Sequence, residues 1–163
     1  GNPGKPHEQG LYHDARAYLD WLQKSEGKKP SDIILVGESL GTGVALKMAE
    51  ENPGVRAVIL ETPYTSLPAV AQKYYPFFPA HLIVRDKYNN LSRIGAVTAP
   101  ILILHGRMDE IIPYDHAVKL KEEAGDNATL VTFDKGMHND LYYRGAQKVI
   151  GDFLATLMTT PKT

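Results

Sequence analysis

The sequence contains no cysteine. Disulfides, thiol nucleophiles and thiolate metal sites are therefore excluded, and a reducing, cytoplasmic setting is expected. A surplus of charge is lacking too, because 18 lysines and arginines against 19 aspartates and glutamates leave a net charge of −1. The chain as a whole offers no basic field for a nucleic acid or an anionic membrane, so no nucleic-acid partner is expected. No apolar run approaches the roughly 20 residues that span a bilayer, and no signal-peptide pattern opens the chain. Membrane contact is expected only through an anchor ahead of Gly1 in a longer parent. There is no internal repeat and no low-complexity tract. The histidines show no paired ligand spacing, and the glycines after the first strand are not at Gly-x-Gly-x-x-Gly spacing. Neither a metal nor a dinucleotide cofactor is expected.

What is present centres on one stretch. Ile33-Ile34-Leu35-Val36 is a run of β-favouring apolar residues that leads straight into Gly37-Glu38-Ser39-Leu40-Gly41. A helical pattern follows from Leu40 to Ala49. Strand, tight turn with serine at its apex, then helix is the context a nucleophile elbow requires. Gly37 and Gly41 are expected to clear space around a strained Ser39, and Gly43 to let the following helix pack closely. The helix start also points free N–H groups at whatever Ser39 attacks.

The whole 163-residue chain reads as a single domain of alternating helices and strands. Apolar residues at helical spacing predict an amphipathic helix over 8–24. Strands are predicted at Asp32–Val36, Val55–Leu60, Ile101–Leu104 and Thr129–Phe133. Asn52-Pro53-Gly54 stops the elbow helix, and Pro113 opens another over 115–124 that Gly125 closes. Val149, Ile150, Phe153, Leu154 and Leu157 predict a closing helix. Residues 61–94 break the rhythm with Pro63, Tyr64, Tyr74, Tyr75, Phe77 and Phe78 among them. Short helices are expected there at 67–75 and 80–85, and the aromatics either roof a pocket or simply pack. Continuous apolar strands alternating with helices imply an α/β fold: a parallel sheet of about four strands covered on both faces. Catalytic groups then belong beyond the carboxyl ends of the strands.

A serine hydroxyl needs a base, and the base needs an acid to set its tautomer. His105-Gly106-Arg107-Met108-Asp109-Glu110 follows the third strand, and Asp134-Lys135-Gly136-Met137-His138 follows the fourth. Ser39, Asp109 and His138 thus lie past three different strand ends, in the chain order of an α/β-hydrolase triad. Glu61, just past the second strand, is the rival for the acid. His105 reads as structural and His116 as exposed. His7 and His13 precede the strands, and His81 lies in the aromatic insert. Asp140 is expected to cap the last helix or hold its loop.

These stretches, together with Glu8-Gln9-Gly10-Leu11-Tyr12-His13-Asp14-Ala15 and Thr62-Pro63-Tyr64-Thr65-Ser66-Leu67, resemble the α/β-hydrolase superfamily. Within it the likeness is to small serine hydrolases of the bud-emergence-protein type, related to depalmitoylases and prolyl-oligopeptidase-like enzymes. The resemblance implies Ser39 as nucleophile, His138 as base, Asp109 as orienting acid and the Leu40 N–H as half of an oxyanion hole. It implies an ester, thioester or amide substrate, small or acylated, with no cofactor. Tyr64 and Ile111 are candidate pocket residues. It also implies that early strands, and the loop carrying the second oxyanion donor, precede the region seen here. The chain then corresponds to the C-terminal part of the fold. Its first strand would be an apolar edge, to be covered by a dimer, by a partner segment or by the rest of a longer parent.

Overall fold

The computed structural model describes residues 5–159. Four strands, β1 (Ile34–Glu38), β2 (Ala57–Glu61), β3 (Ile101–Gly106) and β4 (Ala128–Phe133), form one sheet in the order β1-β2-β3-β4. Every pairing is parallel, with Val36 opposite Ile59, Ile59 opposite Leu102, and Leu102 opposite Thr129. β2 and β3 are buried along their whole length, which is why their sequences show no polar alternation.

The helices are α1 (Glu8–Lys24), α2 (Gly41–Glu51), α3 (Leu67–Tyr74), α4 (Ala80–Ile83), α5 (Leu91–Ile94), α6 (Asp115–Ala124) and α7 (Ala146–Thr159). Alternate strand residues divide the core between the two faces of the sheet. Val58, Leu60, Ile101 and Ile103 meet α2, α5 and α6 on one face. Ile59, Leu102 and Leu104 meet Ala146 and the apolar stripe of α7 on the other. Each fully buried side chain of this kind contributes about 1.5–3 kcal/mol. α1 packs on α2 through Tyr12, Leu19 and Met48. It is tied to the insert by Glu8, which accepts from the Tyr12 hydroxyl at 2.8 Å and from the Lys87 N–H at 2.7 Å.

The predicted bounds of α1 and α6 coincide with the observed ones, while β1 starts two residues later than expected. Pro30–Asp32 forms a single 3₁₀ turn instead, because the Asp32 carboxylate accepts the Lys29 N–H at 3.0 Å. Within the insert the helix expected over 80–85 ends at Ile83, and α5 was not foreseen. The aromatics of the insert divide: Tyr64 and Tyr88 pack inward, Tyr75 and Phe78 line an open apolar pocket with Ala71, Ile83 and Val84, and Tyr74 and Phe77 are exposed. β1 pairs only with β2 among the described residues. Its free side and the adjoining faces of α1 and α2 leave an apolar groove lined by Leu11, Tyr18, Leu35, Val36, Leu40 and Val44.

Candidate active site

The turn between β1 and α2 holds Ser39 at φ 48°. A non-glycine residue pays about 1–3 kcal/mol for such a conformation, so the surroundings must hold it there. The Ser39 N–H donates to the Glu61 carbonyl at 2.9 Å, and its carbonyl accepts from the Thr42 N–H at 3.0 Å and the Thr42 hydroxyl at 2.7 Å. Buried Asn90 then braces the turn by donating to the Thr42 hydroxyl and to the Tyr64 carbonyl.

The glycines divide the work differently from expectation. A Cβ on Gly37 would sit 2.5 Å from the Gly41 carbonyl oxygen, so Gly37 is required for the turn to close. A Cβ on Gly41 would meet nothing within 4 Å, because that side faces the open groove beside β1. Gly43 makes room not for the sheet but for the rings of Tyr64 and Tyr88.

Ser39, His138 and Asp109 are joined in a continuous line. The Ser39 Oγ lies 3.1 Å from His138 Nε2, and His138 Nδ1 lies 2.9 Å from Asp109 Oδ2. A carboxylate only accepts, so Nδ1 carries the proton and Nε2 presents its lone pair to the serine hydroxyl. The other Asp109 oxygen accepts the N–H groups of Ile111 at 2.9 Å and Ile112 at 2.8 Å. Burial alone would push the Asp109 carboxyl up. Hydrogen bonds from His105 and His138, and from the backbone N–H groups of Ile112 and Ile111, outweigh it and hold the group well below the usual carboxylate range. The hydrogen bond to Asp109 pushes His138 up, burial opposes it, and the charges of Asp109, Glu110 and Glu38 add to the rise. The arrangement can take a proton from Ser39 and stabilise the imidazolium that results.

Of the rival groups, Glu61 does not reach the histidine. It accepts from the Tyr142 hydroxyl at 2.9 Å, and burial pushes its carboxyl up. Glu110 is exposed beside Asp109. Asp140 holds its loop by accepting from the Met137 N–H and pairing with Arg144. His116 is buried, not exposed as expected, because its Nδ1 accepts from the N–H and lies 2.8 Å from the hydroxyl of Thr65. Tyr64 requires a second correction. At 1 % exposure, with its hydroxyl donating to the Leu40 carbonyl at 3.3 Å, it supports the elbow from below and lines no open pocket. Ile111 stays exposed next to the acid, and with Leu40, Met108 and Met137 it supplies exposed apolar side chains on the turns that carry the three polar groups. The Leu40 N–H has no protein partner among the described residues. No group of side chains suited to a metal ion occurs among the described residues.

Two features of the site were not foreseen. His105 Nε2 donates to the Ile112 carbonyl at 2.9 Å and lies 3.3 Å from Asp109 Oδ2, so it holds the acid as well as its own strand end. The loops after β3 and β4 meet at Gly106 and Gly136: a Cβ on Gly106 would overlap the Gly136 carbonyl, and one on Gly136 would meet Phe133 and Leu141. The Met108 N–H donates to the Gly136 carbonyl at 2.9 Å across that contact. The visible signal was a glycine shortly before each polar residue, in His105-Gly106 and in Lys135-Gly136.

Residues 3–138 match the dienelactone hydrolase family. A Mycobacterium tuberculosis protein of uncharacterized function is 39 % identical over 140 residues, which are 86 % of this chain and 50 % of that protein. Human alpha/beta hydrolase domain-containing protein 17B is 33 % identical over 146 residues, covering 87 % of this chain and 48 % of its own. The chain thus spans about half the length of the curated relatives it matches. Among solved structures, an esterase of Pyrococcus furiosus superimposes with a TM-score of 0.70 at 20 % identity, over 96 % of this chain and 65 % of that one. With its parallel sheet, its serine at the β1–α2 turn and this match over most of its length, the chain belongs to the dienelactone hydrolase family of the α/β-hydrolase superfamily.

Proposed function

We propose that the protein is a serine hydrolase that cleaves carboxylic ester or thioester bonds through an acyl-enzyme on Ser39. The observation that carries this reading is the unbroken hydrogen-bonded line from Ser39 through His138 to Asp109. Ser39 Oγ attacks the carbonyl carbon while His138 Nε2 takes its proton. The Leu40 N–H faces the developing oxyanion, and His138 then gives the proton to the leaving alcohol or thiol. Water, deprotonated by the same histidine, releases the acid and restores the serine. The exposed apolar side chains of Leu40, Ile111 and Met137 favour an apolar acyl group. An esterase among the structural neighbours and a family named for the hydrolysis of a cyclic ester agree with ester chemistry.

An oxyanion hole is built from two donors, and the Leu40 N–H is proposed as one of them. Loss of one such donor typically costs about 10²–10³ in turnover. The test is turnover of p-nitrophenyl esters of increasing acyl length, beside matching thioesters and anilides, by wild type and Ser39→Ala. Turnover that the substitution abolishes supports the proposal, and the ranking of the three bond types assigns the reaction. Equal rates for wild type and Ser39→Ala contradict it.

A further inference from the structure

The segment that joins β2 to β3 carries a surface that hydrolysis does not use. Between α3 and α4 the chain turns through Tyr75-Pro76-Phe77-Phe78-Pro79. There Phe77 is 96 % exposed, Leu82 75 %, Tyr75 62 %, and Phe78 and Ile83 60 % each. Three large apolar side chains on this turn and two on α4 directly after it are far more than the scattered exposed apolar residues of an ordinary surface.

The backbone of this turn is prepared for an apolar medium. Pro76 and Pro79 have no N–H to satisfy. Phe78 and Ala80 donate to the carbonyls of Tyr75 and Phe78 at 3.1 and 2.8 Å. The Gln72 amide donates to the carbonyls of Tyr75 and Pro76 at 3.2 and 2.9 Å and accepts the Ala80 N–H at 3.2 Å. Gln72 thus supplies the partner of the Pro76 carbonyl and a second partner for the Tyr75 carbonyl and the Ala80 N–H. Such internal pairing lowers the cost of bringing polypeptide against hydrocarbon, where an unpaired group is costly.

Charge selects the occupant. Lys73 lies two residues before Tyr75 and Arg85 two residues after Ile83, and both are exposed and form no ion pair among the described residues. Asp86 is the sole carboxylate across residues 67–94. The near-neutral total for the whole chain conceals this local excess. A second copy docked through the same patch would bring like charges together, whereas an anionic lipid surface complements them. The patch also borders the proposed active site, since the Tyr74 hydroxyl donates to the carbonyls of Glu110 and Ile111 at 2.6 and 2.8 Å, next to Asp109.

We infer that the α3–α4 turn is a membrane-docking surface, which seats Tyr75, Phe77, Phe78, Leu82 and Ile83 among the acyl chains of an anionic bilayer. Lys73 and Arg85 then lie at the headgroups. No helix among the described residues is long and apolar enough to cross a membrane, so the contact is peripheral. Contact of this kind needs no anchor ahead of Gly1, in contrast to the expectation drawn from total charge.

The test is co-sedimentation with vesicles of phosphatidylcholine and of phosphatidylcholine with phosphatidylserine. The protein should partition to both and more strongly to the second. Phe77→Ser with Leu82→Ser should lower partitioning roughly tenfold or more, since each exchange removes a large buried apolar group. Lys73→Glu with Arg85→Glu should remove the preference for phosphatidylserine. Ser39→Ala should bind as wild type, so a failure of the hydrolase reading leaves this result intact. Turnover of a short water-soluble ester should be unchanged in the Phe77 and Leu82 variant. Wild type remaining in the supernatant with both vesicles, or the double variant binding as wild type, overturns the inference. So does a dimer in sedimentation velocity that the double variant dissolves while neither protein binds vesicles.

Discussion

Gly106 and Gly136 touch backbone to backbone, with the Gly136 carbonyl occupying the place where a Gly106 side chain would stand. The first glycine ends β3 and the second closes the turn after β4, so their contact bears on how near Asp109 comes to His138. Gly106→Ala should force the two turns apart, because the added methyl would collide with the Gly136 carbonyl. We expect a loss of about 1–3 kcal/mol in stability and about 10² in turnover from misplacement by roughly 1 Å. Thermal unfolding beside ester turnover checks this. A variant of normal stability and normal turnover would show that the contact does not place the triad.

The pH profile follows from His138. A base acts when neutral, and the bond to Asp109 holds the imidazole's proton more tightly than in a free histidine. Activity should therefore be lost on acidification at a pH above the ordinary histidine value of about 6.5. Asp109→Asn should move that limb to lower pH and reduce kcat by about 10⁴, since the amide favours the wrong tautomer. The pH dependence of kcat/KM for both proteins is the measurement. An acid limb at the same pH in both would contradict the role given to Asp109.

His105 is argued to act through Asp109, as a positioning residue. His105→Leu should cost about 1.5–3 kcal/mol in stability, the worth of a hydrogen bond to a charged group. It should also shift the acid limb of the profile, because Asp109 would lose one of the bonds that keep it ionised. A purely structural histidine would lower the melting temperature and leave the profile in place.

Most of the fold could be read from the sequence because its signals are local. The apolar runs 57–60 and 101–104 are fully buried strands, and the helical spacing from Leu11 to Leu22 fixes α1. Ser39, Asp109 and His138 were legible for the same reason: each follows a strand end, and parallel topology puts those ends on one side. What stayed hidden depends on contacts between distant segments. His116 appeared to be a solvent-facing helix residue until Thr65, 51 positions earlier, was seen against its ring. Tyr64 appeared to be a pocket residue, yet its environment is set by the closeness of Gly43 and the Leu40 carbonyl. The outward aromatics of the insert show the same limit, since composition records apolar area but not the direction it faces.

The free edge of β1 makes a separate prediction. Val36 is 59 % exposed on a strand with an unpaired side among the described residues. Prepared as these 163 residues, the protein should self-associate through that edge. Sedimentation velocity over a range of concentrations should show it, and Val36→Lys should weaken it. A monomer at every concentration would remove β1 as an interface.

The central claim is that Ser39 becomes covalently acylated. Its most direct test is mass spectrometry of the protein after reaction with a fluorophosphonate and, separately, after acid quench during p-nitrophenyl butyrate turnover. The account predicts one phosphonyl or one butyryl group on the peptide that contains Gly37-Glu38-Ser39-Leu40-Gly41, absent in Ser39→Ala and suppressed in His138→Ala. A folded wild-type protein that takes up neither group, or an adduct that survives Ser39→Ala, would contradict it.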